Sequence, residues 1–157
     1  MTLQDFLIND TLRSVDAFFL AVRKVPADKI EWSPLENGRT VLDQAQEYAQ
    51  SATWGVSVIR AGKFDWTPEM FAKALTDRQS WKSIDDCERV CRENTAALIQ
   101  LIEDTPDGDL TKTITIPFGP NHDWPIADIL HLHTWNLHYH TGQVNYVQTL
   151  YGDKSMS

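Results

Sequence analysis

The segment PIADILHLHTWNLHYHTGQVNYVQTLY, residues 125–151, decides how this chain folds. Its apolar residues recur every three or four positions, which predicts one long helix that starts near Pro125 and ends at about Tyr151. On a helical wheel, the apolar face of this helix also carries several polar side chains: His133, Asn136, His140 and Gln143. Because buried polar groups need partners, this face predicts a core helix whose polar residues either hydrogen-bond to neighbouring helices or form a binding site.

Three segments upstream also have the periodicity of amphipathic helices, at about residues 3–25, 41–61 and 84–104. Pro26 ends the first of them, and Thr40 and Gly62 suit the two ends of the second. A shorter helix is expected to begin at Pro68. Four long helices in 157 residues predict a single all-α domain over residues 1–157, an up-down four-helix bundle with long connections.

One segment lacks helical periodicity. Residues 110–119, LTKTITIPFG, alternate threonine with leucine, isoleucine and lysine, as a strand does. A lone strand has no partner to pair with, so we expect an extended crossover that leads to the last helix.

The charge of the chain argues against two classes of partner. Its 14 Lys+Arg and 22 Asp+Glu give a formal net charge of -8, and no basic run reverses this locally. Such a chain repels phosphate backbones and anionic lipids, so neither nucleic acid nor a membrane is expected as a partner. No stretch approaches the ~20 apolar residues of a membrane span, and no signal peptide is evident. We therefore expect a cytoplasmic protein.

The cysteines, Cys87 and Cys91, lie four residues apart on the third long helix. They share its apolar face with Ile84 and Val90. This pattern predicts two buried thiols in a reducing compartment, and a metal-binding pair is the alternative.

The helical wheel divides the histidine cluster HLHTWNLHYH between two faces. His133 and His140 share the core face, whereas His131 and His138 point to the other side. At ~1.5 Å per residue, His133 lies about 10 Å from His140 along the axis, so the two cannot hold one ion. Asn136 and His140, at spacing i,i+4, project into one cavity. Each of these groups either hydrogen-bonds to a neighbouring helix or takes part in a site, and the residues alone leave both open.

Two segments resemble a known family. WNLHYHTGQVNYVQTLYGD, residues 135–153, resembles the last helix of the DinB/YfiT-like superfamily, whose signature there is histidine followed by x-Gly-Gln. The linker EWSPLENGRT, residues 31–40, resembles the Trp-x-Pro and Gly-Arg elements that precede the family's second helix. Helix number, helix length and the long crossover agree, so the resemblance covers nearly the whole chain. It implies a four-helix bundle, usually dimeric.

The resemblance also implies a metal site. Many members of the family hold one divalent metal with three histidines, one on the second helix and two at spacing i,i+4 on the last. Carried over by position, the implied ligands in this chain are Glu47, Asn136 and His140, with Gln44 and Gln50 as neighbouring alternatives to Glu47. Two of the three histidines are thus replaced. A glutamate is a competent ligand for zinc, nickel, manganese or iron, whereas an asparagine amide is a poor one for soft metals.

Two functions follow from this resemblance. Characterised relatives include metal-dependent enzymes that act with low-molecular-weight thiols as S-transferases or isomerases, where the metal would lower the pKa of the thiol. We expect such a transferase, with one divalent ion and a small-molecule substrate. The alternative is a non-catalytic bundle that has lost the metal and binds a small molecule or a protein partner, and Asn136 favours it. Three further residues are expected to line the pocket: His133, Gln143 and Tyr48.

The last helix is apolar or aromatic on a second side as well. This outward side carries Trp135, Tyr139, Gly142 and Tyr146. A helix that is apolar all round either sits centrally or meets another subunit. We expect a homodimer to which this helix contributes, because twofold dimers are the commonest assembly.

Overall fold

The computed structural model describes residues 1–119 and 122–153. The helices are α1 (Leu3–Arg23), α2 (Val41–Ala61), α3 (Pro68–Arg78), α4 (Ile84–Asp104) and α5 (Ile126–Leu150). Two short strands, β1 (Thr113–Thr115) and β2 (Asp123–Pro125), precede α5, and single 3-10 turns lie at Ala27–Lys29 and Asp107–Asp109. The predicted all-α class is confirmed, and the predicted bounds of the long helices agree to within a few residues.

Capping residues fix the ends of these helices close to the predicted positions. The Thr40 hydroxyl accepts a hydrogen bond from the Asp43 amide at 3.0 Å, which satisfies one of the free N–H groups of the first turn of α2. Ser83 caps α4 in the same way through the Asp86 amide. Gly62 ends α2 with a φ of 66°, in the left-handed region that glycine adopts without strain.

The long helices form a ring in which α1 packs on α4 and α5, and α2 packs on the same two helices. Helices α1 and α2 therefore lie diagonally across the core, and so do α4 and α5. The connections within each diagonal pair must cross the end of the bundle, which explains their length. Helix α3 leans on the outside of α2.

The core is filled from all four long helices. At its centre the Phe18 ring packs edge-on against Phe19 and tilted against Tyr48, and burying each such ring stabilises the fold by ~1.5–3 kcal/mol. Cys87 and Cys91 are fully buried free thiols in the same cluster, in agreement with the expected buried pair.

The expectation of an unpaired crossover over residues 110–119 is wrong. Strand β1 pairs antiparallel with β2, with Ile114 opposite Trp124, so the segment is the first arm of a two-stranded hairpin. Ile114 and Ile116 are buried against Val58 and Ile129, which fastens the hairpin to one end of the bundle. No helix within the described ranges is long and apolar enough to cross a membrane.

Candidate functional site

Helices α2 and α5 bring two of the three residues that the family resemblance implied as metal ligands close together. Oε1 of Glu47 lies 3.7 Å from Nε2 of His140, and Nδ1 of His140 lies 3.1 Å from Oε1 of Gln44. The helices approach closely at Gly55, where an added Cβ would lie 3.1 Å from the carbonyl oxygen of Ile129. Helix α5 thus packs directly against α2 at Gly55, two turns along α2 from Glu47.

Glu47 is also held by two arginines. Arg39 places Nη2 at 2.7 Å from the Glu47 carboxylate and Nε at 2.6 Å from Asp43, one turn earlier on α2. Arg78, the last residue of α3, approaches Glu47 at 3.4 Å and Asp43 at 3.6 Å. The neighbouring His140 and the Arg39 guanidinium lower the pKa of Glu47 to about 2, against burial, which raises it.

These contacts do not fit a divalent metal. A cation would have to displace guanidinium groups from the Glu47 carboxylate and would then meet their positive charge. Asn136 supplies an amide where the family supplies a histidine. Within residues 1–119 and 122–153, no group of three or more His, Cys, Asp or Glu side chains is arranged to hold a metal ion.

Tyr48 belongs to the core. Its side chain is fully buried, and its ring packs on Phe18 and edge-on against His140. Its hydroxyl donates to the backbone carbonyl oxygen of Asn136 on α5. Tyr48 therefore fixes the turn of α5 that carries Asn136 and His140.

His133 is buried between α2 and α4. The Thr95 hydroxyl donates to the carbonyl oxygen of Cys91 at 2.7 Å, so it accepts from Nε2–H of His133 at 3.1 Å. Nδ1 of His133 then accepts the hydroxyl proton of Ser51 at 2.6 Å. Burial lowers the pKa of His133 to about 4, so the imidazole is neutral at physiological pH.

A cavity of about 370 Å³ lies between α2, α3 and α5, beside this polar network. Its polar lining residues include Glu47, Ser51, His133, Asn136 and Arg78. Its aromatic and aliphatic lining residues are Trp54, Trp66, Phe71, Leu75 and Leu132, with Ala74. The cavity can therefore hold an apolar body against rings and a polar group against the charged cluster.

Sequence reasoning assigned no role to α3, although this helix supplies one wall of the cavity. Phe71, Leu75 and Arg78 follow one another at spacings of four and three, so they share one face of α3. That spacing is visible in the sequence and could have indicated that α3 presents these three side chains to one site. Gln143, expected in the same pocket, lines a second cavity of about 380 Å³ with Arg39 and Tyr139.

The division of the histidines between two faces of α5 is confirmed. His133 and His140 are buried, whereas His131 and His138 lie against α1 on the far side. Nε2 of His138 lies 3.0 Å from the Ser14 hydroxyl, and Nε2 of His131 lies 3.4 Å from Asp10. This outer pair therefore ties α5 to α1.

Comparisons with known proteins agree with this architecture. The chain matches the family model of the DinB superfamily over residues 10–144. It is similar to the crystal structure of a DinB-like protein, YjoA, from Bacillus subtilis, at 14% sequence identity and a TM-score of 0.66. The alignment covers 96% of this chain and 95% of that one. At this identity the likeness shows the fold. A search of curated protein sequences gave no match.

Proposed function

Because this chain belongs to the DinB superfamily, we propose that it uses the family's bundle to bind a small organic molecule in the cavity between α2, α3 and α5. The observation that carries this proposal is the composition of the cavity wall, which combines aromatic rings with charged and hydrogen-bonding side chains. A volume of about 370 Å³ suits a small ligand, since ligand pockets measure roughly 300–1,000 Å³. The net charge of -8 favours a small molecule over a nucleic acid.

The aromatic wall supplies the binding energy in this proposal. Trp66 and Phe71 pack with ring centroids 5.1 Å apart, and Nε1 of Trp66 donates to Ser57 at 3.0 Å, which fixes the indole. Phe71 and Leu75 are about half exposed, so a ligand would remove apolar surface from water. Pre-positioned rings lose little conformational entropy on binding.

Ligand-observed NMR with a fragment set of one- and two-ring aromatic compounds tests this proposal. Ala74→Phe would fill the cavity from α3, and Ala72→Phe on the exposed side of the same helix is the matched control. We expect fragments to bind the natural protein and the Ala72→Phe variant and to lose binding in Ala74→Phe. The proposal is wrong if no fragment binds, or if Ala74→Phe binds the fragments as the natural protein does.

A metal-dependent thiol transferase is the second candidate function, and one observation favours it. Glu47 and His140, two of the ligands implied by the family resemblance, approach to 3.7 Å. The two arginines on Glu47 weigh against it, because they already neutralise the carboxylate that the metal would need. Elemental analysis separates the two candidates before any substrate is known.

We also propose that the protein acts as a homodimer joined through α5. Trp135 and Tyr139 are stacked on the surface with ring centroids 5.6 Å apart, and each is more than half exposed. Tyr146, two turns further on, is 65% exposed. A row of exposed rings along one helix supports a contact with a second copy.

A further inference from the structure

We infer that the ligand of the α2–α3–α5 cavity is an aromatic carboxylic acid, whose carboxylate pairs with Arg78 while its ring lies on the aromatic wall. This inference rests on the function proposed above and adds the chemical class of the ligand. The supporting observation is that Arg39 lies close to the carboxylates of Asp43 and Glu47, whereas Arg78 lies farther from both.

Arg39 is well paired and Arg78 is not. Arg39 contacts Glu47 at 2.7 Å and Asp43 at 2.6 Å, which are distances of strong charge-assisted hydrogen bonds. Arg78 reaches the same two carboxylates only at 3.4 Å and 3.6 Å. Both carboxylates therefore already have a close guanidinium partner, and Glu47 has His140 beside it as well.

The Nε atom of Arg78 is buried and also lacks a hydrogen-bond acceptor among the described residues. A buried donor without a partner is unfavourable, so a ligand that supplies an acceptor there is favoured. Nε and one Nη of a guanidinium form a two-donor fork that matches the two oxygens of a carboxylate, whereas an amide or an alcohol offers one oxygen.

The position of Arg78 on α3 sets the distance between the carboxylate and the ring of the inferred ligand. Phe71 precedes Arg78 by seven residues on α3, two turns of the helix, so the ring and the guanidinium lie on the same face. Trp54 and Trp66 line the same cavity, and the Trp66 ring packs on Phe71. A ligand with a ring joined to a carboxylate by a short spacer can contact both ends at once.

Gln50 adds a second polar feature to the same wall. Its side-chain nitrogen donates to the carbonyl oxygen of Ala74 at 3.0 Å, which points its oxygen away from that bond. That oxygen is buried, and nothing in the described part of the chain donates to it. A donor on the ligand's ring, such as a phenol hydroxyl or an indole N–H, would satisfy it.

The experiment compares acids with their primary amides, which have the same shape and no charge. Three matched pairs are used: phenylacetate, cinnamate and indole-3-acetate, each against its amide. Binding is measured by titration calorimetry or ligand-observed NMR with the natural protein, Arg78→Met and Arg60→Met. Arg60 lies exposed near the end of α2 and outside the cavity, so its variant controls for the loss of one positive charge.

We expect at least one acid to bind the natural protein about tenfold or more tightly than its amide, since hydrogen bonds to charged groups are worth ~1.5–3 kcal/mol. Arg78→Met should remove this preference, so that each acid binds no more tightly than its amide, and measurable binding of the amide shows that the cavity is still formed. Arg60→Met should keep the preference.

The outcomes distinguish failure of the carboxylate inference from failure of the proposed ligand-binding function. If amides bind as tightly as acids, or if the preference survives in Arg78→Met, the carboxylate inference is wrong while the cavity remains a ligand site. If neither acids nor amides bind the natural protein while other aromatic fragments do, the carboxylate inference is likewise wrong and the proposed function stands. If no aromatic fragment binds, or if binding persists in Ala74→Phe, the proposed function fails as well.

Discussion

The side chains of Glu47 and His140 face each other across the α2–α5 interface at 3.7 Å, beside an ion-pair cluster. Arg39 and Arg78 contact the same carboxylate from the other side. Members of the superfamily that hold a metal would need this position for a ligand. Here the carboxylate is instead the centre of a charge network that links α2, α3, α5 and the linker before α2.

The first prediction concerns metal content. Purified natural protein should contain less than about a tenth of an equivalent of zinc, nickel, manganese or iron, because ligand groups held by other partners bind metal weakly. The double variant Glu47→His/Asn136→His would leave both arginines paired with Asp43 and would join His140 in a three-histidine set. It should take up zinc or nickel near stoichiometrically and gain thermal stability from the metal.

The control for this prediction removes the third histidine. Adding His140→Ala to the double variant should abolish uptake, because two histidines alone bind weakly. Elemental analysis and thermal unfolding with and without added metal measure both effects. Stoichiometric metal in the natural protein would make the thiol transferase the better candidate.

The second prediction is an acid sensitivity that comes from His133. Burial lowers the pKa of His133 from 6.5 to about 4, so below pH 6.5 the unfolded chain binds a proton that the folded chain does not. The free energy of unfolding should therefore fall as pH drops from about 6.5 to 4, by up to about 1.4 kcal/mol per pH unit from this group. His133→Asn should flatten this part of the profile.

Ser51→Ala is the matched control for the acid sensitivity. It removes the hydrogen bond to Nδ1 but leaves the buried imidazole, so it should lower stability by ~1–3 kcal/mol and keep the slope. Urea unfolding at a series of pH values measures both. Identical pH profiles for the natural protein and His133→Asn would show that His133 is not the source.

Local signals made most of the fold predictable. Thr40 and Gly62 mark helix ends through hydrogen bonds within a few residues, and Pro125 through its fixed backbone angle, so the sequence displays them directly. The partner of β1 was missed because Asp123–Pro125 is only three residues long and ends in proline, which carries no alternating pattern. Pairing of so short a strand is set by tertiary packing.

The site was predictable only in part, for a related reason. Asn136 and His140 share a helix face, so their common direction follows from spacing. Arg39 lies four residues before Asp43, and that ion pair was also within reach of the sequence. The contact of Arg78 with Glu47 was not, because it depends on how α3 leans on α2. That contact places a second guanidinium beside the Glu47 carboxylate.

The third prediction concerns the cysteines. Burial raises the pKa of Cys87 and of Cys91 to about 12, so little thiolate is present at neutral pH and neither sulfur is exposed. Both should react slowly with a thiol reagent in native protein and rapidly after denaturation. Ser80→Cys, which places a thiol on the exposed turn after α3, should add one fast-reacting group. Rapid native labelling of the natural protein would indicate a functional thiol instead.

The fourth prediction is the oligomeric state. Sedimentation at micromolar concentration should give twice the chain mass of 17.9 kDa, because Trp135, Tyr139 and Tyr146 leave apolar surface on α5 that a second copy would cover. Tyr139→Glu should yield a folded monomer, since a carboxylate at the centre of the stacked pair would have to be desolvated on association. Leu35→Glu, at an exposed position in the linker before α2, should remain dimeric. A natural protein that sediments as a monomer would rule out this interface, whereas a dimer that survives Tyr139→Glu would move the contact to another face.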